Sequence, residues 1–584
     1  MIPLLLIGLA LVAFVMGFRF YGKFLTMGVF RLAHNAPTPA SHRHDAVEFV
    51  RSPLRVLTAH HVAGNTGLLT VIGIGIAVSW GWVPAFLWVV IGALIAGGTL
   101  ALGSLWLSLR YRGDTLPGVA REFLGWSGAA PLYGLAVMLL LGLAALAVLM
   151  IGRLLDTQSS AVWAFAALAL AAPAIRRGWA ASSARTRLGY WLAAAAWLGG
   201  GLVIGQLYPV VLSGGWTISL GHDRIMTIGG ELFWGLLAVA LAAFSLKMPV
   251  SHTARPRGLL AAALLGVTLA GIVAGLILAG PELSAPQFAR DPQLPSVFAL
   301  LVLTVTGGAV AGLGALTITG PTVRQLSRVR EAPTVAYGGS LADALVGVVV
   351  VLLFCVSMPG ADAWSRVYAG WPDTVPLFGW LDLFVVRGAQ FIAVLGVPLA
   401  WAHGLVALAL AALVSCGLES VLRTTGFVCE ELASAFRWSA LTDKTTRERG
   451  LVSVLIVLVI GFAQIPLSVD HWLALGIVGQ AFAIGAFLII LLALMRIGRP
   501  VLLVAIPLTI VSLGLMSGTV AVLVDWWRED RWALFTLGVV AAGLGLWIAI
   551  NAAREAVRLL RRRNAALPIH STSLYSRYVP PREN

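Results

Sequence analysis

The chain has 584 residues, of which 59% are hydrophobic and only 11% charged, and its mean hydropathy is +0.92. Too little polar surface is available to solvate a soluble particle of this size, so soluble enzymes are excluded. The net charge of +15 does not mark a nucleic-acid binder either. The basic residues sit at the ends of apolar stretches, not on one face or tail.

The first apolar stretch runs from Ile2 to Gly17. It has no basic residue before it and no small-residue cleavage site, and Arg19 and Lys23 follow, so it reads as a retained helix and not as a signal peptide. Arg31, Arg43, Arg51 and Arg55 make the next connection strongly basic and therefore cytoplasmic, with the amino terminus outside. From there the apolar stretches come in pairs, and each pair ends on arginines or lysines. Residues 65–82 and 84–109 precede Arg110 and Arg112, and 132–151 and 161–175 precede Arg176 and Arg177. Residues 190–212 and 228–246 lead to Lys247 and Arg255, and 259–278 and 297–316 lead to Arg324 and Arg328. A span at 337–356 and a second within 389–418 precede Arg423, Arg437 and Lys444. Residues 451–467 and 472–495 reach Arg496, and 501–524 and 532–550 reach a tail with Arg561, Arg562 and Arg563.

Every basic connection falls on one side only for an odd count of about fifteen spans. The expected fold is an all-α polytopic transmembrane bundle, amino terminus outside and carboxyl terminus in the cytoplasm. Residues 1–553 form one membrane transport domain, and 554–584 form a basic cytoplasmic tail suited to anionic lipid. The stretch 382–418 is ambiguous: it holds one span plus a re-entrant piece, or two short spans. Tryptophans such as Trp80, Trp82 and Trp88 are expected to anchor helix ends at the lipid interface.

Several segments carry a family resemblance. After the first helix come Arg19-Phe20-Tyr21-Gly22, Thr38-Pro39-Ala40, His44-Asp45-Ala46-Val47-Glu48-Phe49-Val50, Ala59-His60-His61 and Ser108-Leu109-Arg110-Tyr111-Arg112-Gly113. Later come Lys247-Met248-Pro249-Val250, the run Ala311 to Thr322, Tyr337-Gly338-Gly339, Leu418-Glu419-Ser420-Val421-Leu422-Arg423 and Leu475-Gly476-Ile477-Val478-Gly479-Gln480. In order and spacing the chain resembles the carbon starvation protein A (CstA) family of bacterial transporters, as a divergent member. The family's Q-D pair falls here at Leu100-Ala101, its G-P at Leu68-Leu69, its F-H at Leu313-Gly314 and its N-Q asparagine at Gly479. The resemblance implies a secondary transporter of the bacterial inner membrane, which takes up peptides or a small carboxylate such as pyruvate during nutrient limitation. A transporter of that kind is expected to contain inverted repeats and broken helices.

Ionisable groups inside spans are costly, so each is a functional candidate. Asp343, one turn into an apolar helix, and Glu419 are the candidates for proton coupling. The plainer alternatives are a structural hydrogen bond for Asp343 and an i,i+4 pair with Arg423 for Glu419. Glu231 reads as interfacial, and Arg387 and His403 as edge residues or carboxylate partners. Adjacent helical side chains point about 100° apart, so His60 and His61 do not form a metal pair; one of them can face the interior. Two segments are dense in glycine and hydroxyls: Gly64, Asn65, Thr66 and Gly67 through Thr70, and Gly307 and Gly308 through Thr317, Thr319 and Gly320. Such segments suit helix breaks, whose exposed backbone and N-termini attract carboxylates; tight helix packing is the alternative. With Gln480, these residues make the expected substrate-binding set: His60, His61, Asn65, Thr66, Gly67, Thr317, Thr319, Gly320 and Gln480.

No phosphate-binding loop, Gly-x-Ser-x-Gly, His-Glu-x-x-His or CxxC is present, and the three cysteines lie scattered in or beside apolar stretches. No enzyme activity, cofactor or metal is expected. The expected partners are the lipid bilayer, a small-molecule substrate (peptide or carboxylate) and H⁺ as coupling ion. The alternative function is a membrane sensor or scaffold that keeps a degenerate transporter fold.

Overall fold

A computed structural model describes residues 2–565 except 34, 181–182, 213, 220–224, 290–296, 306–308, 310–311, 357–363, 365–366, 369–374 and 439–441. Gly307, Gly308 and the carboxyl-terminal tail from residue 566 lie outside the described residues.

The helices in chain order are α1 (Ile2–Met16), α2 (Leu54–Ala77), α3 (Trp82–Arg110), α4 (Leu116–Thr157), α5 (Val162–Ala180), α6 (Ala184–Leu207), α7 (Gly230–Lys247) and α8 (Ala254–Ala279). They continue with α9 (Val297–Thr304), α10 (Gly312–Thr317), α11 (Ala332–Cys355), α12 (Gly379–Ala393), α13 (Leu399–Phe436), α14 (Lys444–Ala463), α15 (Val469–Arg496), α16 (Leu502–Arg528) and α17 (Trp532–Ala565). One small hairpin, Trp216–Ser219 with Ile225–Ile228, is antiparallel and sits between α6 and α7. α17 runs through residue 553, where the domain was expected to end.

Among the described residues twelve helices are long and apolar enough to cross a membrane, or thirteen with the pair Leu54–Gly67 and Leu69–Trp80, bent by 44°. The chain is a multi-pass membrane protein. The expected count of about fifteen is slightly high for two physical reasons. The described residues of the stretch 297–316 give two short helices, α9 and α10, of eight and six residues. α14 spends its first two turns on Lys444, Arg447, Glu448 and Arg449, which leaves too short an apolar run to span about 30 Å. The ambiguous stretch resolves into α12, whose 15 residues are too short at about 1.5 Å rise each, followed by the 38-residue α13.

α2, α11, α13 and α15 form the interior. Almost all of α13 from Val406 to Thr425 is buried, whereas α1, α6, α16 and α17 present many large apolar side chains outward, as a lipid-facing shell must. Trp80, Trp106, Trp380 and Trp526 are fully buried. Trp80 is thus a core residue and not the interfacial anchor expected from its position.

The basic connections meet at one end of the bundle. Arg423 reaches Glu48 in the loop before α2, Arg255 reaches the Val50 carbonyl, and Arg324 lies over the Phe427 ring at 3.4 Å. Acidic residues hold the opposite end, where Arg153 of α4 bridges Glu231 (2.5 Å) and Asp382 (2.8 Å) and Asp470 pairs with Arg531. Glu231 is therefore an ion-pair partner at its helix entrance. Among the described residues Arg387 meets no carboxylate; it donates to the Leu353 and Phe354 carbonyls at the end of α11 (2.9 and 3.0 Å), the orphan acceptors of a helix C-terminus.

Candidate functional site

Two irregular segments face each other in the interior. α2 bends at Gly67. After α10 the chain runs through a π-helical turn, Ile318–Thr322, in which Gly320 leaves helical geometry (φ −85°, ψ −109°) and Pro321 follows. A proline inside a helix removes a donor and displaces a turn, and π-turns recur at functional sites. Gly320 lies against α13, where an added Cβ would stand 2.6 Å from the Thr424 hydroxyl.

Side chains join the two segments. Thr317 donates from Oγ1 to Asn65 Oδ1 (2.9 Å). Asn65 Nδ2 in turn donates to the His61 carbonyl (2.9 Å), and the His61 ring lies 3.1 Å from Thr322 Oγ1. The other side of the His61 ring packs on α11, where a Cβ at Gly339 would stand 2.8 Å from His61 Cδ2. One turn further along α11, Asp343 accepts from Thr70 of α2 (2.9 Å). The fold thus brings His61, Asn65, Thr317 and Asp343 to the junction of α2, α10 and α11. Thr322 and Thr70 join them, although the sequence did not single out Thr322 and placed Thr70 only within a small-residue run.

The other expected residues have different surroundings. Thr66 and Thr319 turn their hydroxyls back to the Val62 and Ala315 carbonyls of their own segments. Gly67 is a packing glycine: a Cβ there would come within 2.7 Å of the Leu413 backbone on α13. Gln480 of α15 donates to the Val302 carbonyl (2.9 Å) and Trp472 to the Thr304 carbonyl (2.9 Å). Both cap the end of α9 where its helix stops, so Gln480 supports the break.

His60 points the other way, onto the start of α8, where a Cβ at Gly258 would meet its ring at 2.8 Å. There it feels the charge of Glu419, which belongs to a buried cluster. Glu419 Oε1 accepts from Ser245 of α7 (2.5 Å), Thr253 (3.2 Å) and Arg423 Nη2 (3.0 Å). Arg423 Nη1 reaches Glu48 (2.6 Å) and Arg257 Nη1 stands 3.8 Å from Glu419 Oε2. Glu419 and Arg423 form the expected i,i+4 pair, but deep in the interior and shared with two further charges. Burial pushes the Glu48 carboxyl above the usual carboxylate range, against the pull of Arg423, Lys444 and Arg324. Among the described residues no group of three metal-ligating side chains forms.

A small crevice, with about 270 Å³ of empty space when the open solvent at its mouth is included, borders the junction and is lined by Leu69, Leu139, Gly312, Leu313, Leu475 and Gly479 among others. Three of these, Leu69, Leu313 and Gly479, are positions at which the sequence departs from the pattern it resembles, and at Gly479 the departure removes a polar side chain, an asparagine.

Residues 3–365 match the family described as "Carbon starvation protein CstA". The chain belongs to that family. Among its relatives is the "Peptide transporter CstA" of Mycobacterium tuberculosis (strain CDC 1551 / Oshkosh), 30% identical over 354 residues that cover 58% of this chain and 44% of that protein. The "Peptide transporter CstA" of Escherichia coli (strain K12) is 26% identical, over 59% of this chain and 49% of that one. The "Pyruvate/proton symporter BtsT" of the same organism is 24% identical, over 59% and 48%. The chain spans about half the length of these relatives. Among solved structures, a mutant manganese transporter of Eremococcus coleocola aligns over 88% of this chain and 99% of that one, with 12% identity and a TM-score of 0.49. The family match covers the amino-terminal motifs and the broken segment; the segments at 418–423 and 475–480 lie beyond it.

Proposed function

We propose that the chain is a secondary transporter of the bacterial inner membrane that takes up a small carbon source, a peptide or a small carboxylate such as pyruvate, together with a proton. The observation that carries this reading is the junction itself. Two interrupted membrane segments, α2 and α9–α10 with its π-turn, meet inside the bundle and are tied across by Thr317–Asn65 and Thr322–His61. Interrupted helices put unpaired backbone groups in the membrane interior, which is tolerated where they line a solute path. Family membership adds the names of relatives, a peptide transporter and a pyruvate/proton symporter.

In this reading His61, Asn65 and Thr317 contact the solute from the junction, and Asp343 carries the proton. Thr66, Thr319, Gly67, Gly320 and Gln480 shape the breaks around it. The basic end of the bundle faces the cytoplasm with the carboxyl terminus, and the amino terminus lies outside. An inverted repeat relating the two interrupted segments belongs to the same proposal.

Labelled pyruvate and dipeptides offered to proteoliposomes, with and without an inward pH gradient, test it. Gradient-stimulated uptake of one of them is expected, and Asp343→Asn should abolish the stimulation at normal expression. Uptake that Asp343→Asn leaves unchanged removes the proton role from that residue. One observation favours a second reading: Leu69, Leu313 and Gly479 make the cavity beside the junction apolar. A sensor or scaffold with a degenerate transporter fold would show no uptake under any gradient.

A further inference from the structure

The span that begins with α1 continues through two π-helical turns, Gly17–Gly22 and Leu25–Val29, and leads to Arg31 at the basic end of the bundle. The ends of three other helices meet it there. Phe30 packs on Trp106 of α3, with ring centroids 5.1 Å apart, and Arg110 lies over the same Trp106 ring at 4.7 Å. A Cβ at Gly103 of α3 would stand 3.1 Å from Phe30 and 2.8 Å from Ile490, near the end of α15. Arg496, the last residue of α15, lies over the Phe123 ring of α4 at 5.7 Å. Arg499, just beyond it, is pushed below its ordinary value by burial and by the charge of Arg31. Opposite charge is scarce at this meeting point. Tyr111, next to Arg110, feels Arg496, Glu122 and Arg110, so one carboxylate stands against several guanidiniums. Asp114, further on, is faced by Arg324, Arg43, Arg121 and Arg112. Among the described residues Arg31, Arg496 and Arg499 form no ion pair, whereas Arg153, Arg423 and Arg531 each do. A bias toward basic connections accounts for an arginine in each of them, but not for their convergence from separate spans with no protein anion between them.

We propose that this cluster is a binding site for an anionic phospholipid, whose phosphate is held by Arg31, Arg496 and Arg499 and whose acyl chain lies along the outward face of the extended α1. Guanidiniums bind phosphate through paired N–H donors. Arg496 uses its flat face on Phe123, which leaves the N–H edge for an anion. The apolar side chains decide for a lipid over a soluble anion. Phe20, Phe24 and Met27 on the same segment are each more than half exposed, and they lead along the membrane to Arg31. A molecule that is apolar along that face and anionic at the arginines fits both features, and an anionic headgroup is drawn to basic residues at the membrane surface. Bound there, the phosphate offsets the repulsion among the arginines and ties the end of α1 to those of α3 and α15. The site does not depend on the transporter reading, since it is measured by lipid binding alone.

The test is native mass spectrometry with parallel melting curves on the detergent-purified full chain. The probes are dioleoyl phosphatidylglycerol, dioleoyl phosphatidylcholine and inorganic phosphate. Wild type should retain phosphatidylglycerol at about tenfold lower concentration than phosphatidylcholine, and phosphatidylglycerol should raise its melting temperature while inorganic phosphate does not. Arg496→Gln combined with Arg499→Gln should remove about tenfold of that preference. Without lipid this variant should melt no lower than wild type, because it thins out like charges. Arg31→Gln, a single change on an exposed chain end, should act in the same direction and covers a folding failure of the pair. Arg185→Gln combined with Arg187→Gln lowers the net charge equally at another helix start and should leave the preference intact. Met27→Gln should weaken retention of the dioleoyl lipid but not of dihexanoyl phosphatidylglycerol, whose chains are too short to follow the α1 face. Equal retention of the two dioleoyl lipids by wild type overturns the site. So does an equal loss from the Arg185 and Arg187 pair, which would make net charge the cause. A melting temperature raised as much by inorganic phosphate as by phosphatidylglycerol overturns the lipid as occupant. Destabilisation of the lipid-free Arg496 and Arg499 variant would show that these arginines hold the fold themselves, and the proposal would fall.

Discussion

His60 and His61 are neighbours on α2, yet each belongs to a different region of the molecule, and the two regions are built on opposite principles. His61 faces the junction of interrupted segments, where single neutral hydrogen bonds link it to Asn65 and Thr322, and Asn65 in turn to Thr317. His60 faces the cluster of Glu48, Glu419, Arg257 and Arg423, where full charges are buried against one another. A neutral hydrogen bond contributes about 1 kcal/mol net, so the junction is cheap to rearrange. Removing one member of a buried ion network costs about 3–5 kcal/mol, so the cluster holds its shape. The difference suits a joint that moves beside an anchor that does not.

The comparison is sharpest where the anchor is cut. Arg423→Gln leaves Glu48 and Glu419 facing each other without their shared guanidinium, and should lower stability by about 3–5 kcal/mol, read as a large drop in melting temperature in detergent. An unchanged melting temperature would mean that the cluster is not an anchor. Next in size is Gly67→Leu, where the new side chain meets the Leu413 backbone and must push α2 off α13, at about 1–3 kcal/mol. Limited proteolysis and melting curves should show the loss; full stability would show that the two helices part freely.

Asn65→Ala reverses the pattern of effects. It removes the link from Thr317 and should cost only about 1 kcal/mol, while uptake falls by far more than stability. Equal small losses in both would make Asn65 an ordinary packing residue. The smallest expected effect is the pH dependence that Glu48 adds to stability, read by comparing Glu48→Gln with wild type. Burial raises the Glu48 pKa in the fold, so the folded chain holds that proton more tightly than the unfolded one. Its stabilising contribution is complete below the ordinary carboxylate range and is lost as pH rises through the raised value. Melting curves from mildly acidic to neutral pH should therefore be flatter for Glu48→Gln than for wild type. Parallel curves would mean that Glu48 titrates normally.

Much of the architecture was legible in the sequence because apolar length and basic ends are local properties. The spans, the ambiguous stretch before residue 418 and the pairing of Glu419 with Arg423 all rest on residues near one another in the chain. The glycines and hydroxyls between and after α9 and α10 were noted in the sequence, but the lost span that goes with these two short helices was not. The adjacent histidines were read correctly as diverging, since helical geometry alone requires it. What the sequence could not show was partnership across distance. Glu48 joins Arg423 from 375 residues away, and nothing local in its loop says so. Gly67 looks the same whether it opens a site or admits the Leu413 backbone. Gln480 carries a polar side chain in an apolar helix, which marks a function without telling a solute contact from a cap on Val302.

The central claim is that the junction of α2 and α10 moves a solute, and counterflow of labelled pyruvate in proteoliposomes tests it most directly. With wild type and Asn65→Ala reconstituted in equal amounts and checked for equal melting behaviour, the wild type should exchange label and the variant about tenfold less. Equal exchange by the two proteins, or exchange of neither pyruvate nor a dipeptide by the wild type, would contradict it.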